Sequence, residues 1–208
     1  MPFLPPAQRS TSPLHPLFAF AASQDPRIDI QKPGPGDVDA LLEEVERDIA
    51  GNKFADAETR LGGYLKDHAD SWRAHYDLGY VQFRTHEIGS SIRELSRSLE
   101  LNPQNAEAHK ILGLGCSIIG RYDMAEVELL QAARLKPGSA EIQYFLARTY
   151  YMRGVYPLAK SEFESTIRLN PSYVKAYSNL GITMEALGDN EAALKNYKIA
   201  IQLQDRQK

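Results

Sequence analysis

The chain is 208 residues long, 43% hydrophobic and 25% charged, close to globular averages, which excludes wholesale disorder. Twenty-four basic residues against 27 acidic ones leave a net charge of −3, with no positive excess to hold a phosphate backbone, so nucleic acid is not an expected partner. A lone cysteine, Cys116, excludes an internal disulfide or a thiolate zinc site, and the longest near-apolar run, Ile111 to Gly120, is about half of what membrane insertion requires.

Eight of the twelve prolines fall in the first 37 residues, together with the run Pro33-Gly34-Pro35-Gly36. Proline lacks the amide donor and fixes φ, so this stretch supports neither a long helix nor a strand. Residues 1–37 are therefore read as a Pro-rich disordered arm or linker. A weak export signal over residues 1–21 is the competing reading. Arg9 supplies a positive end, Leu14 to Phe20 an apolar stretch, and Ala19-Phe20-Ala21 a small-residue cleavage pattern. His15 and Pro16 interrupt that apolar stretch, which favours a cytoplasmic location over a periplasmic or secreted one.

From residue 38 onward the chain is periodic. Pro103, Pro137 and Pro171 are spaced by 34 residues, and five units of that length run without insertion: 38–71, 72–105, 106–139, 140–173 and 174–207. Position 7 is Leu78, Leu112, Leu146 and Leu180 in the last four units, and position 8 is Gly79, Gly113, Ala147 and Gly181. Position 20 is Ala57, Ser91, Ala125, Ala159 and Ala193, and position 24 is Leu61, Leu95, Leu129, Phe163 and Tyr197. Apolar residues return at three- and four-residue spacings within each half, so each unit is predicted to be two amphipathic helices. Small residues at positions 8 and 20 let the two helices approach. Gly120, Gly154 and Gly188 at position 15 suit the turn between them, with Gly51 and Glu87 near that point in the first two units. Pro157 falls at the start of a second helix, and Asn105, Ser139 and Ser172 are candidate N-caps.

These residues resemble the tetratricopeptide repeat, whose pattern is W-x2-L-G-x2-Y, then A-x3-F, then P. The last unit carries Tyr177, Leu180, Gly181, Ala193 and Tyr197; the fourth carries Leu146, Tyr150, Ala159, Phe163 and Pro171; the third carries Leu112, Gly113, Ala125, Ala132 and Pro137. The second unit departs at Gln82, Ser91 and Glu87. The first keeps little beyond Ala57 and Leu61, as expected of a capping repeat. The resemblance implies an all-α, right-handed α-solenoid of about five antiparallel helix pairs, with first helices lining a concave wall. It also implies a non-enzymatic adaptor or scaffold that binds an extended peptide or a helix of another protein; an exported protein assisting assembly or tethering of envelope components is the alternative.

In that family, first-helix positions 2, 5, 9 and 12 face the groove. The expected peptide-binding residues are thus Arg73, Tyr76, Tyr80, Phe83, Lys110, Leu114, Tyr144, Arg148, Tyr151, Lys175, Ser178 and Ile182, with Glu107, Ser117, Glu141 and Glu185 in the remaining positions. Five aromatic and four basic side chains on one wall favour a segment with apolar and acidic groups. Tyr76, Tyr80 and Tyr144 can alternatively close gaps between neighbouring units. The two-carboxylate clamp of chaperone-tail binders is not intact, because Leu114 and Phe145 occupy positions that must hold a carboxylate. Gly113-Leu114-Gly115 lies inside a predicted helix and reads as packing, not as a dinucleotide fingerprint.

No catalytic residue, metal site or cofactor is expected. His75 and His109 both fall at position 4 and read as buried imidazoles, and Cys116 as a small buried hydrophobe. The acidic run from Asp37 to Asp48 reads as a solvated helix face. Beyond the fifth unit nothing covers Leu194, Tyr197 and Ile201, so a weak homodimer through the C-terminal helix is expected.

Overall fold

The computed structural model describes residues 40–206. The arm expected over residues 1–37 and the export signal within 1–21 lie outside the described residues. Ten α-helices and no strand occur among those described: α1 (Ala40–Ala50), α2 (Phe54–Tyr64), α3 (Trp72–Arg84), α4 (Ile88–Leu101), α5 (Ala106–Ile118), α6 (Tyr122–Leu135), α7 (Ala140–Met152), α8 (Tyr156–Leu169), α9 (Val174–Ala186) and α10 (Asn190–Asp205). They form five antiparallel pairs, one in each 34-residue unit. Each helix packs on its partner and on the next helix along the chain. First helices of successive units also touch directly, α3 on α5, α5 on α7 and α7 on α9. That closer approach bends the stack so that the first helices line its inner side.

Close packing within a pair follows from position 8. A β-carbon on Gly79 would lie 2.7 Å from Leu95 Cγ, and one on Gly113 would lie 2.8 Å from Leu129 Cγ. Gly181 stands just as tightly against the Tyr197 ring. In the last four units a glycine or alanine faces the large residue at position 24, wholly buried as Leu95, Leu129 and Phe163, while the first unit has the buried Val45 with the buried Leu61. Ser91 replaces the usual alanine at position 20, and its buried hydroxyl donates to the Gly79 carbonyl at 2.7 Å, so the change leaves no orphan donor.

The turns correct one expectation. In all five units position 15 takes the left-handed conformation, occupied by Asn52, His86, Gly120, Gly154 and Gly188 with φ of 56°, 66°, 77°, 76° and 83°. The first unit therefore turns at Asn52 and not at Gly51, and the second at His86. Asparagine and histidine tolerate this region better than most residues, so the backbone geometry persists where the glycine does not. The caps differ in one place as well. Asn105 accepts from the Glu107 and Ala108 amides, both at 3.1 Å, and Ser139 accepts from Ile142 N at 3.3 Å. Ser172 does not cap α9; its hydroxyl donates to Asn170 Oδ1 at 2.8 Å. Ser71, unmarked in the pattern, caps α3 through Ala74 N.

Candidate ligand-binding groove

The inner wall is built from α1, α3, α5, α7 and α9, and it divides into a sealed part and an open part. Arg73, Tyr76, Tyr80, Lys110 and Tyr144 are only 5–9% exposed. Arg73, Lys110 and Tyr144, at positions 2 and 5, reach along the stack to the neighbouring first helix and are held there. Arg73 pairs with Glu46 of α1. Lys110 Nζ lies 2.6 Å from Glu107 Oε2 and 2.8 Å from Glu141 Oε2 of α7, while Lys136 Nζ, just past the end of α6, approaches Glu107 at 3.2 Å. Burial alone would lower the Lys110 pKa, but the two carboxylates outweigh it and the ammonium is held above its ordinary value. Glu107 is correspondingly held below its own, since the cations overcome the effect of burial.

Tyr144 is a seam residue of a different kind. Its hydroxyl accepts from Asn179 Nδ2 of α9 at 2.9 Å, and its ring lies 5.0 Å from Tyr173 and 5.9 Å from Phe163, centroid to centroid. Tyr80 Oη accepts from Arg84 at 2.5 Å, and that guanidinium also covers the Phe54 ring of α2 at 5.0 Å. Burial raises the pKa of both Tyr76 and Tyr144, so their phenols stay neutral.

Phe83, Leu114, Arg148, Tyr151, Ser178 and Ile182 are half-buried and Lys175 is exposed. Most of these lie on α5, α7 and α9 and form an apolar strip flanked by Arg148 and Lys175. The Arg148 guanidinium covers the Tyr144 and Phe145 rings at 5.8 and 6.0 Å, and Tyr151 lies 5.4 Å from Tyr156. Two of the four expected cations, Arg73 and Lys110, are thus neutralised internally. Of the other two, Lys175 is exposed and Arg148 is half-buried over the Tyr144 and Phe145 rings.

One wall residue escaped the pattern. Asp77, at position 6 of the second unit, is 3% exposed, and its Oδ2 has no hydrogen-bond partner. The signal available was a carboxylate one turn after Arg73 on the same helix face. The position-4 histidines are hydrogen-bonded side chains. His75 Nδ1 lies 2.7 Å from Glu94 Oε2 and its Nε2 3.1 Å from the Ala69 carbonyl. His109 repeats this with Glu128 at 2.7 Å and the Pro103 carbonyl at 3.2 Å. Among the described residues no group of three or more His, Cys, Asp or Glu could hold a metal ion, and no helix is long and apolar enough to cross a membrane.

The chain belongs to the tetratricopeptide repeat family, whose profile matches residues 42–106 and 144–207. No curated protein sequence matches it. Among solved structures, a crystal structure of MamA is 24% identical, covers 78% of this chain and 95% of its own, and superposes with a TM-score of 0.75. Residues 41 to the end of MamA from Desulfovibrio magneticus RS-1 are 17% identical, covering 81% and 95%, with a TM-score of 0.76. YrrB, described as a TPR protein with an unusual peptide-binding site, is 19% identical, covers 81% of this chain and 87% of its own, and has a TM-score of 0.74. At these identities the likeness is one of fold.

Proposed function

We propose that this protein is a non-enzymatic adaptor whose concave groove binds an extended or helical segment of another protein. The observation that carries this reading is the half-buried strip of Leu114, Tyr151, Ser178 and Ile182, flanked by Arg148 and Lys175. Apolar area of this kind on a wall otherwise sealed by ion pairs is what a partner segment would cover, and tyrosine and arginine are the types that dominate such contacts. YrrB, of the same fold, is described as having a peptide-binding site.

Affinity capture from source-cell lysate tests the reading, with wild type compared against a Lys175→Glu/Ile182→Ala variant shown by circular dichroism to remain helical. A protein retained by wild type and lost by the variant supports the groove. Equal capture by both would move the function to another face. Truncating Tyr80 or Lys110 would be a poorer test, because both hold the stack together.

Association of copies through α10 is a second proposal. Leu194 and Ile201 on its outward face are 54% and 59% exposed, and α10 is the last helix of the described stack. The expected result in light scattering is a mass that rises with concentration; a constant monomer mass overturns it.

A further inference from the structure

Ten large apolar side chains are exposed among the described residues, and half of them lie in one short stretch, residues 118–130. Exposure of Leu194 and Ile201 follows from the place of α10 at the end of the described stack. The third unit has a neighbour on each side, and it still exposes Ile118, Ile119, Met124, Val127 and Leu130. The repeat supplies its own control. Positions 19, 22 and 25 are exposed or half-buried in every second helix. In α4 they hold Ser90, Arg93 and Ser96, in α10 Ala192, Lys195 and Lys198, and in α8 Leu158 is followed by Ser161 and Glu164. Among the described helices α6 alone fills all three with large apolar residues, Met124, Val127 and Leu130, which are 46%, 55% and 42% exposed. The fold does not demand them, since the other units form the same helix pair without them. Second helices stand on the outer side of the stack, so this stripe faces away from the groove.

We propose that the outward face of α6 is a second docking surface, for an amphipathic helix of another protein that carries an apolar stripe and acidic side chains. The sign comes from the charges that α6 leaves unpaired. Its acidic residues are engaged within the stack, Asp123 and Glu126 with Arg153 and Glu128 with His109. Arg121 and Arg134, both exposed, form no ion pair among the described residues. They flank the apolar stripe, roughly 20 Å apart along the helix axis, and the spacing 121, 124, 127, 131 and 134 keeps them on its side of the helix. A helix laid along α6 covers Met124, Val127 and Leu130 with its own apolar residues, while a carboxylate near either end meets an arginine.

The same charges argue against a second copy of this chain. The apolar face of α10 carries exposed Lys195 and Lys198 beside Leu194 and Ile201, which would meet Arg121 and Arg134 with like charge. Two α6 helices related by a two-fold axis would set arginine against arginine in either direction. An anionic lipid surface would meet Asp123, whose side chain is 88% exposed.

The probe is a displayed library of helical twenty-residue peptides randomised along one face. It is panned against the full chain in parallel with a Val127→Ser/Leu130→Ser variant. Serine already stands at these positions in other units, as Ser161 and Ser96, so the variant keeps the fold. The expected result is a set of peptides retained by wild type and lost by the variant, sharing an apolar stripe and at least one aspartate or glutamate. Fluorescence anisotropy with such a peptide should show about tenfold weaker binding to the variant. Binding to Arg121→Glu/Arg134→Glu should be severalfold weaker, and should recover when the acidic residues of the peptide are changed to lysine. The groove variant Lys175→Glu/Ile182→Ala should bind the peptide as wild type does, which scores the two surfaces separately. A selected set without acidic residues overturns the assigned partner. If no peptide is selected and wild type, but not the serine variant, floats with phosphatidylglycerol vesicles, the face belongs to a lipid surface and the assigned partner is again overturned. Peptides retained equally by both proteins, or no enrichment and no flotation, overturn the docking surface and leave the groove reading to its own test.

Discussion

Position 15 imposes the same backbone on five different units and meets it with three residue types. A β-carbon in the left-handed region costs roughly 1–2 kcal/mol, less for asparagine and histidine. Nothing lies within 4 Å of a β-carbon built on Gly154, so its replacement by alanine is a backbone test alone. Gly154→Ala is predicted to lower stability by about 1 kcal/mol in urea unfolding, and His86→Gly to raise it by roughly half that. Asp77 makes the second residue-scale prediction. Its folded pKa lies above its unfolded value, so the folded chain holds a proton that the unfolded chain has lost. Its cost is thus absent below about pH 4, grows as pH rises, and is complete above about pH 7. Asp77→Asn should stabilise the protein by roughly 2–4 kcal/mol at pH 8, and the gain in thermal midpoint over wild type should vanish near pH 4. A gain that persists unchanged at pH 4 would contradict the assignment.

Between elements, the governing contacts are position 8 against position 24 and the polar bridges between first helices. Gly113→Val pushes a branched side chain into Leu129 and is expected to cost about 1–3 kcal/mol, whereas Gly138→Ala, with open space around it, should be nearly neutral. Lys110→Ala removes the ion pairs to Glu107 and Glu141, but Lys136 still serves Glu107 and Glu141 is partly exposed to water, so a loss of roughly 1–2 kcal/mol is expected in the same urea assay. The helix pairing was legible in the sequence because size constraints recur: a glycine or alanine every 34 residues has one packing explanation. The turn of the first unit was not, since Gly51 stands beside Asn52 and glycine preference is weaker evidence than the register of the repeat. The groove was half legible. Position numbers put Arg73, Lys110 and Tyr144 on the first helices, but a long side chain there can reach outward to a ligand or along the stack to the next helix. Only the identity of the residue across the seam decides which. Glu46, Glu141 and Asn179 are those residues, each 27 to 35 positions away in sequence. Asp77 was marked in the sequence only by its spacing from Arg73, because burial of a carboxyl depends on the neighbouring units as well as on its own helix.

Among the described residues the main helix contacts run between units that adjoin along one direction, so the stability of the stack is a sum of unit and seam contributions. Hydrogen exchange should therefore be graded, slowest in α5 to α8 and faster toward α1, α2 and α10. Uniform protection across all ten helices would show a single cooperative unit instead. The short helices of the first unit, eleven residues each, meet among the described residues a seam with the second unit only, and are expected to exchange early.

Five similar units joined by similar seams raise a problem of address: unit 2 presents to unit 3 much the same shape that it would present to unit 4. A chain that skipped a unit, or borrowed one from a neighbouring copy, would bury nearly the same apolar area. The polar bridges distinguish these arrangements. Arg73 finds Glu46 only at the first seam, Lys110 finds Glu141 only at the third, and Tyr144 finds Asn179 only at the fourth. A skipped unit would leave each of these groups facing a stranger, so the bridges act as a code that tells each helix pair where in the sequence its neighbour belongs.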